Sequence, residues 1–381
     1  MTLLRVELPE PDAAERAHSA TLAHFVRNEI ASSGPIPFSR FMELALYAPG
    51  LGYYSAGKTK FGAAGDFVTA PELGQIFPRC VARAMAPVLH DVGAEACVLE
   101  LGGGSGAFAE HALRELARLE AVPAHFWILE PSADLRQRQQ QRLLNNLPPD
   151  LHARVAWLDR PPEDDWRGVL FANEVIDALP TSRFSMRDGE VFEEHVVAAG
   201  DTEFTSIDLP ADGLVGNAVR HIERDLGQVF EDGYRSEILP QLPYWMQAVC
   251  GALREGMAIF ADYGYARREY YRAERRDGTL IAHYRHRAHD DVYRLIGLQD
   301  LTAFVDFSAL AEAGRSANLH IAGMGTQADF LIANGLADIF AAVSADARDE
   351  AERYALAQEV KRLTLPGEMG EKFKVMAFER R

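Results

Sequence analysis

Between Cys97 and Phe108 the chain reads C-V-L-E-L-G-G-G-S-G-A-F, and no other stretch limits its fold as much. Cys97 to Leu101 is a short apolar run, interrupted by Glu100, that predicts a buried strand. Gly102, Gly103, Gly104 and Gly106 follow at once, and Phe108 onward takes up helical spacing. Glycines suit such a turn because it requires positive φ and lets a ligand press against bare backbone. The helix start offers free N–H groups and a positive dipole end, which suits a nucleotide-like cofactor at the carboxyl end of a parallel strand.

The rest of the chain predicts the sheet that carries this turn. Strands are expected at Cys97–Leu101, His125–Glu130, Arg154–Leu158, Val169–Ala172, Gly256–Asp262, Leu319–Met324 and Phe373–Glu379, separated by helical stretches. Alternation of this kind implies a mostly parallel α/β sheet with right-handed crossovers. Arg183 to Leu209 alternates around a turn at Asp188-Gly189, which predicts an inserted hairpin, and Tyr234–Leu253 is read as helical. The reading divides the chain into 1–90, an N-terminal helical segment and lid loop; 91–180, the first part of the core; 181–255, the inserted hairpin and helices; and 256–381, the rest of the core, with an insertion at about 266–300.

Composition narrows the function. A net charge of −17 argues against non-specific nucleic-acid binding, which works by neutralising phosphates. Three cysteines form no disulfide framework and have no metal-ligand spacing, and no apolar run reaches membrane-spanning length. The N-terminus resembles neither a signal nor a transit peptide, so the expectation is a cytoplasmic protein without membrane insertion. His283, His286 and His289 recur at threes but lack a partnering Cys or H-E-x-x-H, and no metal is expected.

Two templates fit the glycine turn. G-x-G-x-x-A, from Gly102, Gly104 and Ala107, matches a dinucleotide fingerprint; E-x-G-x-G-x-G, from Glu100, Gly102, Gly104 and Gly106, matches S-adenosylmethionine-dependent methyltransferases. Glu130, ending the second strand, is placed to accept ribose hydroxyl protons in either class. Asp159 follows the third strand, where it can accept from an adenine amino group, and Asn173 follows the fourth, across the switch point from Gly102. Glu100 decides between the templates: an acid at the end of the first strand suits a cationic ligand, and S-adenosylmethionine carries a sulfonium and an ammonium.

The longer motifs carry a resemblance. The glycine turn, N-E-V-I-D-A-L-P, G-D-F-V-T-A-P-E, F-A-D-Y-G, G-T-L, D-L-T-A-F-V-D-F-S and G-E-M-G-E-K-F-K-V run in order from about Gly34 to Val375. Together they resemble the MidA-type methyltransferase family, which includes a mitochondrial complex I assembly factor that methylates an arginine of an NADH dehydrogenase subunit. The resemblance implies a class I methyltransferase (Rossmann-like) fold with a seven-stranded, mostly parallel sheet and helices on both faces. It also implies S-adenosylmethionine as the cofactor and a protein arginine as the acceptor, with an NADH dehydrogenase subunit as the protein partner. Thr69 and Glu72 are cofactor contacts by the same resemblance.

Arginine methylation calls for carboxylates that hold and orient a guanidinium. Glu174 and Asp177 are the catalytic candidates, three residues apart and on one face if that turn is helical; Asp66 and Asp262 are further acids near the site. Glu193-Glu194 is adjacent rather than spaced and reads as a solvated strand edge. Phe61 to Glu72 is expected to form a lid, with Tyr53, Tyr54 and Phe67 excluding water. The alternatives are a non-catalytic respiratory-complex assembly factor and a methyltransferase for a small molecule or RNA.

Overall fold

The structure is a computed structural model describing residues 8–56 and 69–380. The chain forms two compact units: one from residues 1–67, 176–242 and 265–309, the other from 68–175, 243–264 and 310–381.

The second unit holds the sheet predicted around the glycine turn. Its strands on one continuous path are β1 (Cys97–Leu101), β2 (His125–Leu129), β3 (Val155–Leu158), β4 (Trp166–Asn173), β5 (Leu253–Tyr265), β6 (His320–Thr326) and β7 (Phe373–Arg380). The spatial order is β3-β2-β1-β4-β5-β7-β6; among the described residues the sheet counts eight strands rather than seven, the eighth being the two-residue strand Val305–Asp306, off this path. Pairings β1–β2, β2–β3, β1–β4 and β4–β5 are parallel, whereas β7 runs antiparallel to both neighbours, so the sheet is mixed. The parallel register is level: Leu101 lies opposite both Leu129 and Ala172, and Asn173 opposite Ala261. Strand β6 is one edge of this path, with a register break between Ile321 and Gly323.

Side chains alternate between the two faces of the sheet, as strand geometry requires. Val98, Phe126, Ile128, Val169, Phe171, Ile259 and Val375 join one large core with helices α1 (Ile76–Val92) and α2 (Ala107–Arg118). Glu115 of α2 ties these helices together through Arg79, at 2.8 Å, and Arg83, at 3.1 Å, both on α1. The alternate residues Phe260 and Phe378 meet the Trp245 ring and the backbone of Gly314. One further helix matters below: α3 (Ala133–Asn146), capped by Ser132.

The middle of the sheet is tight. A Cβ on Gly168 would stand 1.9 Å from the Cys97 carbonyl oxygen, and one on Gly256 would stand 1.9 Å from that of Gly168. Both glycines have φ near 130°, a region L side chains rarely adopt, at 134° and 129°.

In the first unit, helix Ala13–Ser33 starts at a capping box between Asp12 and Glu15 and stops at Gly34, where φ is 83°. An antiparallel sheet follows the order Ile36–Pro37, Glu190–Ala198, Ser182–Arg187, Arg235–Ile238, with Phe204–Pro210 also paired to Glu190–Ala198. The hairpin predicted after Arg183 is therefore present, and its turn residues Asp188 and Gly189 both have positive φ, as a two-residue hairpin loop demands.

Two expectations about local structure are corrected. Tyr234–Leu253 is not one helix: Arg235–Ile238 is a strand and the helix begins only at Leu242. Arg235 is drawn into the sheet by ion pairs with Glu194 and Asp208, and Pro240 and Pro243 favour a break in the chain there. Residues 266–300, read as an insertion, contribute Ile281–Tyr284, Arg287–His289 and, from its end, Asp300–Thr302 to a small three-stranded sheet. Glu193 and Glu194 are not a solvated edge. Both are buried, and Glu194 meets Arg183 at 2.9 Å, Arg235 and the Tyr293 hydroxyl. Their strand is paired on both sides, which pulls polar side chains inside, where charges need partners.

The Gly168 contact is testable. Replacing Gly168 with Ala is expected to cost about 2 kcal/mol or more, within the range for overpacked cores, read as a fall in the urea midpoint. A shift under about 0.5 kcal/mol would mean that the β1–β4 spacing relaxes freely.

Candidate functional site

The level register brings Gly102, Glu130 and Asn173 to the carboxyl ends of three adjacent strands, with Asp262 beside them in β5, which runs on to Tyr265. Gly102, Gly104 and Gly106 all have positive φ, at 65°, 53° and 83°, so the turn alternates left-handed glycines with Gly103 and Ser105. Gly103 is excluded from bearing a side chain for another reason: a Cβ there would lie 2.7 Å from Ile128. The turn is pinned by Gly102 N–H donating to the Leu129 carbonyl at 3.0 Å and by Gly106 N–H donating to Gly103 at 2.8 Å. α2 begins at Gly106 without a side-chain cap.

Two buried carboxylates stand beside the turn. Glu130 is 4% exposed; one oxygen accepts from the Ser132 backbone N–H and the other from the Gln139 side-chain amide, each at 3.0 Å. Glu100 is 3% exposed, and its Oε2 has no hydrogen-bond partner among the described residues. Burial, with a further push from the Glu130 charge, raises the Glu100 carboxyl to about 8. Its neutral form is thereby favoured over the carboxylate near neutral pH.

Asn173 ends β4, and its buried Oδ1 also has no partner among the described residues, while its amide donates to Glu174 Oε1 at 2.9 Å. Glu174 has φ of 52°, and its N–H donates to the Ala261 carbonyl at 2.9 Å. Val175 then packs on the turn: a Cβ on Gly102 would lie 3.2 Å from its methyl. Residues 174–177 are a bend and turn rather than a helix, so helical spacing does not put Glu174 and Asp177 on one face. The left-handed Glu174 redirects the chain at once, and the two acids belong to different units.

The outer residues fall as follows. Asp159 is exposed and ion-paired with Arg136 at 2.7 Å; the same guanidinium donates to the Glu130 carbonyl at 3.1 Å. Thr69 is buried and precedes helix Ala70–Leu73, and Glu72 on that helix accepts from the Ser105 hydroxyl inside the turn. Arg142 on α3 reaches Ser105 at 3.0 Å and Glu110 at 2.7 Å. Asp262 accepts from the Tyr263 backbone N–H. Of the expected lid, Phe61, Asp66 and Phe67 lie outside the described residues. Tyr53 packs in the core of the first unit, and the Tyr54 hydroxyl donates to Asp300 at 2.9 Å.

Sequence reasoning missed Gln139, Trp157, Arg136 and Arg142. The signal for Gln139 was available: it lies four residues from both Leu135 and Leu143, on the buried stripe of α3. A lone amide on such a stripe implies a polar partner across it.

A fold of this order, with a glycine turn flanked by buried acids, is that of an S-adenosylmethionine-dependent enzyme, and comparison with known proteins agrees. Residues 80–325 match a family model described as an S-adenosyl-L-methionine-dependent methyltransferase, and the chain belongs to that family. A superfamily member from Burkholderia thailandensis, crystallised with S-adenosyl-homocysteine, is 40% identical, covering 98% of this chain and 95% of that one, with a TM-score of 0.91. The protein arginine methyltransferase NDUFAF7 homologue of Drosophila melanogaster is 28% identical over 97% of this chain and 87% of its own. Human NDUFAF7 is also 28% identical, over 96% and 85%. The chain thus has an α/β methyltransferase fold, and its cofactor is S-adenosylmethionine. These curated relatives are mitochondrial by name, which overturns the cytoplasmic location expected from the sequence.

The Glu100 titration has a definite sign. The folded protein keeps a proton that the unfolded chain loses above about pH 4.5, so this group's contribution to stability is complete below that pH and declines up to about pH 8. Glu100→Gln removes the decline, and the ligand-free variant is expected to outlast wild type in urea above about pH 8. Identical pH slopes would mean that Glu100 is already ionised in the fold.

Proposed function

We propose that this methyltransferase transfers its methyl group to an arginine of a protein partner. The reading is carried by one observation: relatives aligned over nearly the whole chain are named protein arginine methyltransferases. An NADH dehydrogenase subunit is the partner that the MidA-type resemblance implies.

The cofactor's fit is supported by the atoms left open around the turn. Glu100 Oε2 and Asn173 Oδ1 are buried acceptors that a ligand ammonium can satisfy, and Gly102, Gly104 and Gly106 let it lie on backbone. Uncapped N–H groups at the start of α2 suit a ligand carboxylate. Glu130 accepts from the ribose hydroxyls. Asp159, paired with Arg136, bounds the adenine side, and Glu72 braces the turn through Ser105 beside Thr69.

S-adenosylmethionine, when bound, supplies an electrophilic methyl on a sulfonium. The chain's own work is to bind, orient and keep water away. Glu174 is the acceptor carboxylate in this reading. Its left-handed backbone turns it out of β4, the Asn173 amide donates to one of its oxygens, and the carboxylate pairs with the guanidinium of the acceptor. Asp177 is left out of this assignment.

The test pairs isotope-labelled S-adenosylmethionine with a purified NADH dehydrogenase subunit. Label is expected on arginine by peptide mass spectrometry, and Glu174→Gln is expected to lower turnover by about 100-fold with S-adenosyl-homocysteine affinity within about twofold of wild type. Label on another residue type, on RNA or on a small molecule would overturn the arginine reading. Unchanged turnover in the variant would remove Glu174 from the acceptor site.

A further inference from the structure

Gln139 sits on the buried stripe of α3 and has no solvent exposure. A primary amide in that position is costly unless its polar atoms are satisfied. Its Nε2 donates to the Gly104 carbonyl at 2.9 Å and to Glu130 Oε2 at 3.0 Å, and its Oε1 accepts from the Trp157 indole N–H at 2.9 Å. An indole N–H can only donate, so the amide oxygen must face Trp157 and the NH₂ must face the turn and the carboxylate. Rotated by half a turn, the amide would meet like with like at all three contacts.

The same side chain is pressed against the turn itself. A Cβ on Gly103 would lie 3.1 Å from Gln139 Nε2, and one on Gly106 would lie 3.4 Å from Gln139 Cα. Glu130 is held from its other oxygen by the Ser132 N–H.

We propose that Gln139, oriented by Trp157, is a positioning residue that fixes the Glu130 carboxylate relative to the glycine turn, so that S-adenosylmethionine is selected through its ribose hydroxyls. The proposal rests on the reading of Glu130 as ribose acceptor. Gln139 touches no reacting atom; it acts through Glu130. A loose Glu130 could still attract the ribose, but its rotamers would spread the acceptor over several places, and a hydroxyl bonded to a mobile carboxylate discriminates little.

The test measures binding of S-adenosyl-homocysteine and of its analogue lacking both ribose hydroxyls, by calorimetry, to wild type, Gln139→Leu and Trp157→Phe. Wild type is expected to bind the analogue at least about tenfold more weakly, since a site built to hydrogen-bond hydroxyls rejects a ligand without them. In Gln139→Leu that ratio is expected to fall below about threefold, with Trp157→Phe in between, as a double-mutant cycle between the amide and the hydroxyls. A merely structural role would weaken both ligands alike and leave the ratio intact, which would overturn the proposal while sparing the Glu130 reading. A wild type that does not distinguish the two ligands would overturn both. Should Gln139→Leu fail to fold, Trp157→Phe decides: it keeps the glutamine and removes only the donor that orients it, and an unchanged ratio there overturns the proposal.

Discussion

The parallel register of β2, β1, β4 and β5 is the constraint on which everything else depends. Because these strands lie in step, Gly102 and Glu130 just past β1 and β2, Asn173 at the end of β4 and Asp262 within β5 fall at one level of the sheet. None of these residues chose its neighbours; the sheet did. This alignment in turn relies on the close backbone approach at Gly168 and Gly256, which lets three strands lie flush. A Cβ at either place would move strand against strand and carry the site with it.

The site is built at a cost to the fold. Glu100 is buried with an oxygen unpartnered among the described residues, and the Glu130 charge raises its proton affinity further. A core made for stability alone would place an apolar residue there. Glu194 in the first unit shows the other treatment of a buried acid, with Arg183, Arg235 and Tyr293 gathered around it. One carboxylate is fully compensated within the chain; the other keeps capacity in reserve. Such contrasts separate structural acids from those facing a ligand.

Much of the sheet could be read in advance because its strands are short apolar runs, bounded by glycine or acids and spaced by helices. The glycine turn, Glu130 and Asn173 were legible for the same reason: their places follow from where strands end. Arg235–Ile238 was not, since R-S-E-I has no apolar run and becomes a strand through ion pairs made far along the chain. Glu193 and Glu194 were misread as solvated because burial of a charge depends on partners that sequence order does not reveal. Glu174 and Asp177 were placed together by counting, which failed once Glu174 adopted left-handed backbone. Gln139 had a pattern that gave it away, an amide on an apolar stripe, but its contacts with Trp157, Glu130 and Gly104 come from three separate segments.

The register break in β6 carries a consequence of its own. This strand closes the sheet on one side, and Ile321 and Met324 on it are exposed. An even, apolar border would be a template on which another chain could add itself, strand after strand. The irregularity between Ile321 and Gly323 spoils that template, since donors and acceptors beyond it no longer fall in step with those before it. The irregularity thus makes this border a poor partner for another extended chain.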